Sequence, residues 1–242
     1  MRFEGQSALV TGAARGIGLA TAKRFLDEGA EVLAVDVLPV PEARAKTLAI
    51  DLASERGPRC VAQEARRLFE RVDILVNNAG VGGSRALHLT DDERLDRILD
   101  IDLRVVLRLT RECLPLLRKP GGRIVNVASV FGEVGYPGTA AYAVAKAGVS
   151  QFTRQLVADY APQGLRINAV APGIIRTEMT AKRLDGDADF RRAMVDAAPA
   201  RRWGLPEDVA GVVAFLASED SAYVNGQVIA VDGGWLATRP GA

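Results

Sequence analysis

Apolar positions along this chain fall into two kinds of run. Seven short blocks, at 7–11, 31–36, 47–52, 73–77, 123–129, 166–171 and 227–232, are nearly continuous in apolar residues between polar ends. Blocks of that length and density predict strands buried on both faces. Between them the spacing turns helical. Residues 19–28 form an amphipathic stretch closed by Gly29, and 59–71 a more modest one. Thr90-Asp-Asp-Glu93 reads as a capping box opening a long helix to about Leu117, with Leu95, Ile98, Val105, Leu109, Cys113 and Leu116 on its apolar stripe. Another helix carries Tyr142 and Lys146, and Pro206 starts one through Leu216. The segment 178–203 is charged, contains Gly186 and Pro199, and is expected to be an irregular, mobile lid over a pocket. Strand–helix alternation without linker or repeat predicts one domain over 1–242. Its expected class is α/β, with a doubly wound, mostly parallel seven-stranded sheet and helices on both faces.

Composition narrows the partners. The 242 residues are 48% hydrophobic and 25% charged, an ordinary globular balance. A net charge of +1 argues against nucleic acid held by bulk charge, and no basic block or zinc-ligand spacing occurs, so no metal is expected. Cys60 and Cys113 are too few for a disulfide framework. No apolar run reaches the roughly 18 residues of a membrane span. The N-terminus leads into the first strand without a signal-peptide pattern, and a soluble cytoplasmic protein is expected.

The first strand runs directly into Gly12-Ala-Ala-Arg15-Gly16-Ile17-Gly18 and then a helix. Strand, glycine turn and helix N-terminus together present backbone N–H groups to a phosphate, as in Rossmann-type domains. The spacing is G-x-x-x-G-x-G rather than the G-x-G-x-x-G of the common dinucleotide fingerprint. Asp36 ends the second strand, 18 residues after Gly18, near the offset at which a carboxylate receives a ribose 2′-hydroxyl. A carboxylate repels a 2′-phosphate, so NAD is favoured over NADP. Arg15 is the counter-signal, since an arginine in that loop can meet a phosphate. Asn78-Ala79-Gly80 leaves the fourth strand at its C-terminal edge, where ligands of open α/β sheets bind.

Tyr142 and Lys146 lie four apart, on one face of their helix. A nearby ammonium favours phenolate and brings a tyrosine, with its ordinary pKa of about 10, toward acid–base work. Ser129, 13 residues earlier at the end of the fifth strand, can hold a substrate oxygen. Asp102 falls on the heptad line Leu95–Asp102–Leu109–Leu116 and faces inward, where a carboxylate is costly unless it is hydrogen-bonded or functional.

The ordered set Thr11-Gly12-x-x-x-Gly16-x-Gly18, Asn77-Asn78-Ala79-Gly80, Ser129, Tyr142-x-x-x-Lys146, Pro172-Gly173 and Val231-Asp232-Gly233-Gly234 resembles the short-chain dehydrogenase/reductase family over nearly the whole chain. The resemblance implies that Gly12, Gly16 and Gly18 admit the pyrophosphate, with Arg15 and Ile17 in the same loop, and that Asp36 holds the adenosine ribose. Asp51 and Leu52 match a pair lying against adenine, and Asn78, Ala79 and Gly80 line the adenosine side of the cleft. Pro172, Gly173, Ile175 and Thr177 belong to the cofactor site, Thr177 against the carboxamide. Ser129 is implied to hydrogen-bond the substrate oxygen, Tyr142 to be the acid/base, and Lys146 to bind the nicotinamide ribose and lower the tyrosine's pKa. The family's fourth catalytic residue is an asparagine whose backbone carbonyl helps hold a relay water; the matching position here is Asp102, which keeps the carbonyl but alters side-chain contacts and local charge.

The expected activity is therefore reversible hydride transfer between NAD(H) and a secondary alcohol or ketone. A 3-oxoacyl-thioester (acyl carrier protein) reductase is the alternative within enzymes, and a non-catalytic nucleotide-binding regulator the alternative outside them. Phe131 and Thr139, with Ser129 and Tyr142, are the substrate-contact candidates, and Val130, Ile174 and the 178–203 segment further pocket candidates. His88 is expected in solvent. The resemblance also implies a homotetramer.

Overall fold

A computed structural model describes residues 1–238. Seven strands, β1 (Ser7–Thr11), β2 (Glu31–Asp36), β3 (Lys46–Ala49), β4 (Ile74–Asn77), β5 (Arg123–Val127), β6 (Arg166–Pro172) and β7 (Val228–Val231), form one sheet in the order β3-β2-β1-β4-β5-β6-β7. Every pairing is parallel. The apolar blocks follow from this, since all five residues of β1 and of β5 are buried and have no solvent face to supply.

Successive side chains leave a strand on opposite faces. Ala8 and Val10 of β1 therefore pack with α1 (Gly16–Asp27) and α8 (Pro206–Ala217) through Ala22, Phe25, Val209 and Val213. Leu9 enters the other layer, with α2 (Gly57–Phe69), α4 (Val105–Cys113) and α5 (Ala140–Tyr160), through Val61, Leu109 and Leu156. Each fully buried aliphatic side chain stabilises the fold by about 1.5–3 kcal/mol.

Three expectations need correction. The third strand is 46–49 rather than 47–52, because after Ile50 donates its N–H to the Asp36 carbonyl the chain turns, and the Asp51 carboxylate and carbonyl then accept from Ala53 and from the Ser54 hydroxyl. The long helix is not one piece. Asp91, not Thr90, is its cap, accepting the Arg94 N–H at 2.8 Å, while the Thr90 hydroxyl donates to the Ala86 carbonyl. α3 (Asp92–Leu99) then widens into a π turn, Asp100–Arg104, before α4. α4 stops at Cys113 because Pro115 has no N–H to continue the ladder.

The third correction concerns 178–203, which is largely helical. α6 (Glu178–Gly186) and α7 (Ala188–Arg191) lead into a π turn, Arg192–Asp196, and Asp187 caps α7 by accepting the Phe190 N–H at 2.8 Å. Leu184, Phe190, Met194 and Val195 bury together against Val130 and Trp235. Charged residues between these apolar ones hide the pattern in the sequence. No helix among the described residues is long and apolar enough to cross a membrane.

Candidate active site

The strand order reverses direction between β1 and β4, so the loops leaving their C-terminal ends diverge and open a crevice. Side chains stitch its floor. Thr11 Oγ1 accepts the N–H groups of Asn78 and Ala79, each at 3.0 Å, and Asn78 Nδ2 donates to the carbonyls of Thr11 and Gly12 at 2.9 and 3.1 Å. The backbones approach so closely that side chains do not fit. Gly12 has φ +65°, and a Cβ there would lie 2.8 Å from Asn78 Nδ2 and 2.9 Å from Ala79 Cα. A Cβ on Gly18 would lie 2.0 Å from the Gly12 carbonyl oxygen. Gly18→Ala is therefore expected to destabilise the protein by about 3 kcal/mol or more, because the clash is with backbone. A thermal melt within a degree or two of the wild type contradicts that packing.

A cavity of about 630 Å³ occupies the crevice. Of the residues expected around a dinucleotide, the glycine-turn members Gly12, Arg15, Gly16 and Ile17 line it. So do Asp36, Asp51 and Leu52 from the β2–β3 side, Asn78, Ala79 and Gly80 after β4, and Pro172, Gly173, Ile175 and Thr177 after β6. Gly18 does not; its part is the close contact of α1 with the Gly12 carbonyl. Ser129, Asp102, Tyr142 and Lys146 close the far wall. A dinucleotide fits this donor set. The N-terminal turn of α1 has no side-chain cap, so its backbone N–H groups are free for a phosphate.

The Asp36 carboxylate is fixed by two backbone donors, Ala14 N–H to Oδ2 and Leu38 N–H to Oδ1, both at 3.0 Å. Arg15 is engaged in an exposed ion pair with Glu178 at the start of α6, across the mouth of the crevice. A 2′-phosphate would have to compete with Glu178 for that arginine.

The far wall is positioned by a buried polar chain. Asn77 Nδ2 donates to Thr110 Oγ1 of α4 and to Asn126 Oδ1 of β5, and Asn126 Nδ2 donates to Thr153 Oγ1 of α5. These bonds fix α4 and α5 against the sheet centre, and with α5 the side chains of Tyr142 and Lys146. Lys146 Nζ sits 5.7 Å from the Tyr142 ring centroid and donates to the Val127 carbonyl at 2.9 Å. Ser129 Oγ accepts the Phe131 N–H at 3.2 Å, which starts a 3₁₀ turn, Val130–Gly132. Asp102 is wholly buried, with Oδ1 3.4 Å from Lys146 Nζ, and both carboxylate oxygens accept the Val81 N–H at 3.3 Å.

Tyr142 is half-buried. Burial pushes the phenol above its ordinary value, Lys146 pulls it down, Asp102 pushes it up, and the Ser129 hydroxyl favours the phenolate. The net direction is upward, so the expected lowering by Lys146 operates but does not prevail. The Asp102 carboxyl is likewise pushed up by burial, against the pull of Lys146 and the Val81 N–H.

Two substrate candidates lie off the cavity wall. The 3₁₀ turn swings Phe131 into a stack with Tyr136, 4.8 Å between centroids, edge-on to Trp235 at 6.2 Å. Thr139 is buried, its hydroxyl donating to the Tyr136 carbonyl at 2.6 Å. His88 is exposed in a 3₁₀ turn, Leu87–Leu89. Wall residues that the sequence did not single out include Val81, Arg97 and Ile101, while Met179 comes from the 178–203 segment expected to cover the pocket. A signal existed only for Val81, which follows the Asn-Ala-Gly turn. A second cavity of about 450 Å³ adjoins the first, lined by Arg94, Arg97 and Met179.

Comparison with known proteins places this geometry. A family profile described as enoyl-(acyl carrier protein) reductase matches residues 12–236. A 3-oxoacyl-(acyl carrier protein) reductase of Thermotoga maritima is 38% identical, covering 97% of this chain and 99% of its own. A 2-(R)-hydroxypropyl-CoM dehydrogenase of Xanthobacter autotrophicus is also 38% identical, covering 95% of this chain and 98% of its own. Among solved structures, an NAD(P)-dependent gluconate 5-dehydrogenase candidate from Beutenbergia cavernae, with NADP bound at low occupancy, superposes with a TM-score of 0.91 at 36% identity. That match covers 98% of this chain and 100% of the other.

Proposed function

The chain belongs to the short-chain dehydrogenase/reductase family and is an oxidoreductase acting on CH–OH groups, and from that premise we propose that it interconverts a secondary alcohol and a ketone with NAD(H), Tyr142 being the acid/base. The observation that carries this reading is the convergence of Ser129, Tyr142 and Lys146 on one wall of a cavity that also holds Asp36. The nicotinamide, when bound, supplies the hydride acceptor or donor. The chain's own groups do the rest. Ser129 Oγ steadies the substrate oxygen, and Tyr142 takes its proton in oxidation or returns one in reduction. Lys146 stabilises the phenolate electrostatically and holds the nicotinamide ribose. Gly12, Gly16 and the open turn of α1 receive the pyrophosphate. Asp36 accepts the ribose 2′-hydroxyl, which favours NAD. Asp51 and Leu52 flank the adenine, and Thr177 meets the carboxamide. The alcohol lies before Ser129 and Tyr142, with Val81 and Met179 as walls and the 178–203 segment as the cover.

A second reading, reduction of a 3-oxoacyl thioester, is favoured by the 38% identity to the Thermotoga maritima reductase. The fixed Asp36 carboxylate weighs against it in so far as such biosynthetic reductases take NADPH. One assay separates the two: NAD⁺ and NADP⁺ reduction, side by side, over secondary alcohols, cyclic diols, sugars and 3-hydroxyacyl thioesters. Turnover with NAD⁺ on an alcohol, diol or sugar is expected. NADP⁺-dependent turnover confined to the thioesters moves the second reading to the front, and intact cofactor binding without turnover anywhere contradicts both.

A further inference from the structure

Asp102 is a carboxylate with no exposed surface, placed inside the wall that carries the acid/base groups. Among the described residues its partners are few: one backbone N–H shared between its two oxygens, and one ammonium. Both contacts exceed the roughly 2.7–2.9 Å of a strong charge-assisted bond. Lys146 makes its shorter bond, 2.9 Å, to the Val127 carbonyl. The ammonium is thus held between a carbonyl, a carboxylate and the face of the Tyr142 ring. Room for the carboxylate is made deliberately by the backbone. A Cβ on Gly80 would lie 2.6 Å from Asp102 Oδ1 and 3.5 Å from Lys146 Nζ, and the π turn Asp100–Arg104 carries Asp102. Such turns mark functional positions more often than chance.

Seen from the phenol, an isolated ammonium favours ionisation, whereas an ammonium backed by a carboxylate is close to neutral. Water does not screen the pair, since both side chains are at least 96% buried. We propose that Asp102 is a positioning residue that holds Lys146 and offsets its charge, and so sets the pH at which Tyr142 passes from giving a proton to taking one. The proposal rests on the reading of Tyr142 as the acid/base. The groups facing the phenol are Lys146 on its own helix, Asp102 on the π turn and the Ser129 hydroxyl at the end of β5. The other charged side chains on the cavity wall are Arg15, Asp36, Asp51, Arg97 and Glu178. The upward push of Asp102 on the phenol agrees in sign.

The test is Asp102→Asn, which removes the charge and keeps the shape, with Asp102→Ser as a second variant should the amide not fold. Two readouts are taken: the pH profile of kcat/KM for alcohol oxidation, and the tyrosinate absorbance of Tyr142, isolated by subtracting the same titration of Tyr142→Phe. The account expects the rising limb to move to lower pH, kcat/KM near neutrality to rise on the order of tenfold, and tyrosinate to form at lower pH. A merely structural carboxylate lowers stability and leaves the limb where it is. A folded variant whose limb and tyrosinate titration are unmoved, or move to higher pH, overturns the proposal. If the wild type oxidises no alcohol, the functional reading fails, and the tyrosinate titration still decides the role of Asp102 because it needs no turnover.

Discussion

Tyr142→Phe is expected to lower kcat/KM for alcohol oxidation by about 10³-fold, the usual scale for removing a positioned acid/base, while NADH affinity stays within about twofold. The ring is retained, so its packing and its place over the Lys146 ammonium survive. Its bond to the opposite loop, from its N–H to Ser84 Oγ at 3.4 Å, is made by backbone and survives too. What disappears is the one oxygen that both Lys146 and the Ser129 hydroxyl influence. Initial rates, a fluorescence titration with NADH and a thermal melt give the three numbers. Activity above about a tenth of the wild type, in a variant that binds NADH normally, is incompatible with Tyr142 as the acid/base.

Asp36→Ser is expected to lower the NAD-over-NADP preference, measured as the ratio of kcat/KM values, by about 10²-fold. Two like unit charges near 4 Å at an effective dielectric of about 20 repel by about 4 kcal/mol. Asp36 is half-buried, and solvent screening reduces that figure to roughly 3 kcal/mol, the equivalent of the stated ratio. The carboxylate cannot swing away, because Ala14 and Leu38 hold both its oxygens. Adding Glu178→Gln should widen the change, since it releases Arg15 from its ion pair to meet a 2′-phosphate. A wild type that already prefers NADP, as the NADP in the Beutenbergia cavernae structure makes worth asking, contradicts the reading of Asp36. So does a ratio that does not respond to Asp36→Ser.

The sheet and most of the crevice were legible in the sequence for one reason: both are built at strand ends. A buried parallel strand must be continuously apolar, so the blocks of β1, β2, β4, β5 and β6 stand out and the loops that leave their C-terminal ends follow directly, whereas β3 and β7, at the edges of the sheet, are not buried on both faces as their blocks predict. Gly12, Asp36, Asn78, Ser129 and Pro172 all take their places this way. For Gly18 the resemblance implied room for the pyrophosphate, whereas the contact the structure shows, of its Cα with the Gly12 carbonyl oxygen, has no signal in the sequence. Asp102 was legible as a buried carboxylate because it interrupts an apolar stripe. Its pairing with Lys146 was not, since that depends on how the π turn approaches α5, and an extra residue in a helical turn leaves no mark in composition. The Arg15–Glu178 pair joins residues 163 apart in sequence and has no local signature. The helices of 178–191 were missed because their apolar face is sparse and is completed by Val130 and Trp235 from other parts of the chain.

The central claim is that this cavity passes a hydride between a substrate carbon and NAD while Tyr142 handles the proton. Its most direct test is isotopic: an alcohol that the assay panel selects, deuterated at the carbinol carbon, is oxidised with NAD⁺, and the NADH formed is analysed by mass spectrometry. The account predicts one deuterium in each NADH produced by the wild type, and about 10³-fold slower product formation by Tyr142→Phe. NADH without deuterium, or labelled NADH formed at the wild-type rate by Tyr142→Phe, would contradict it.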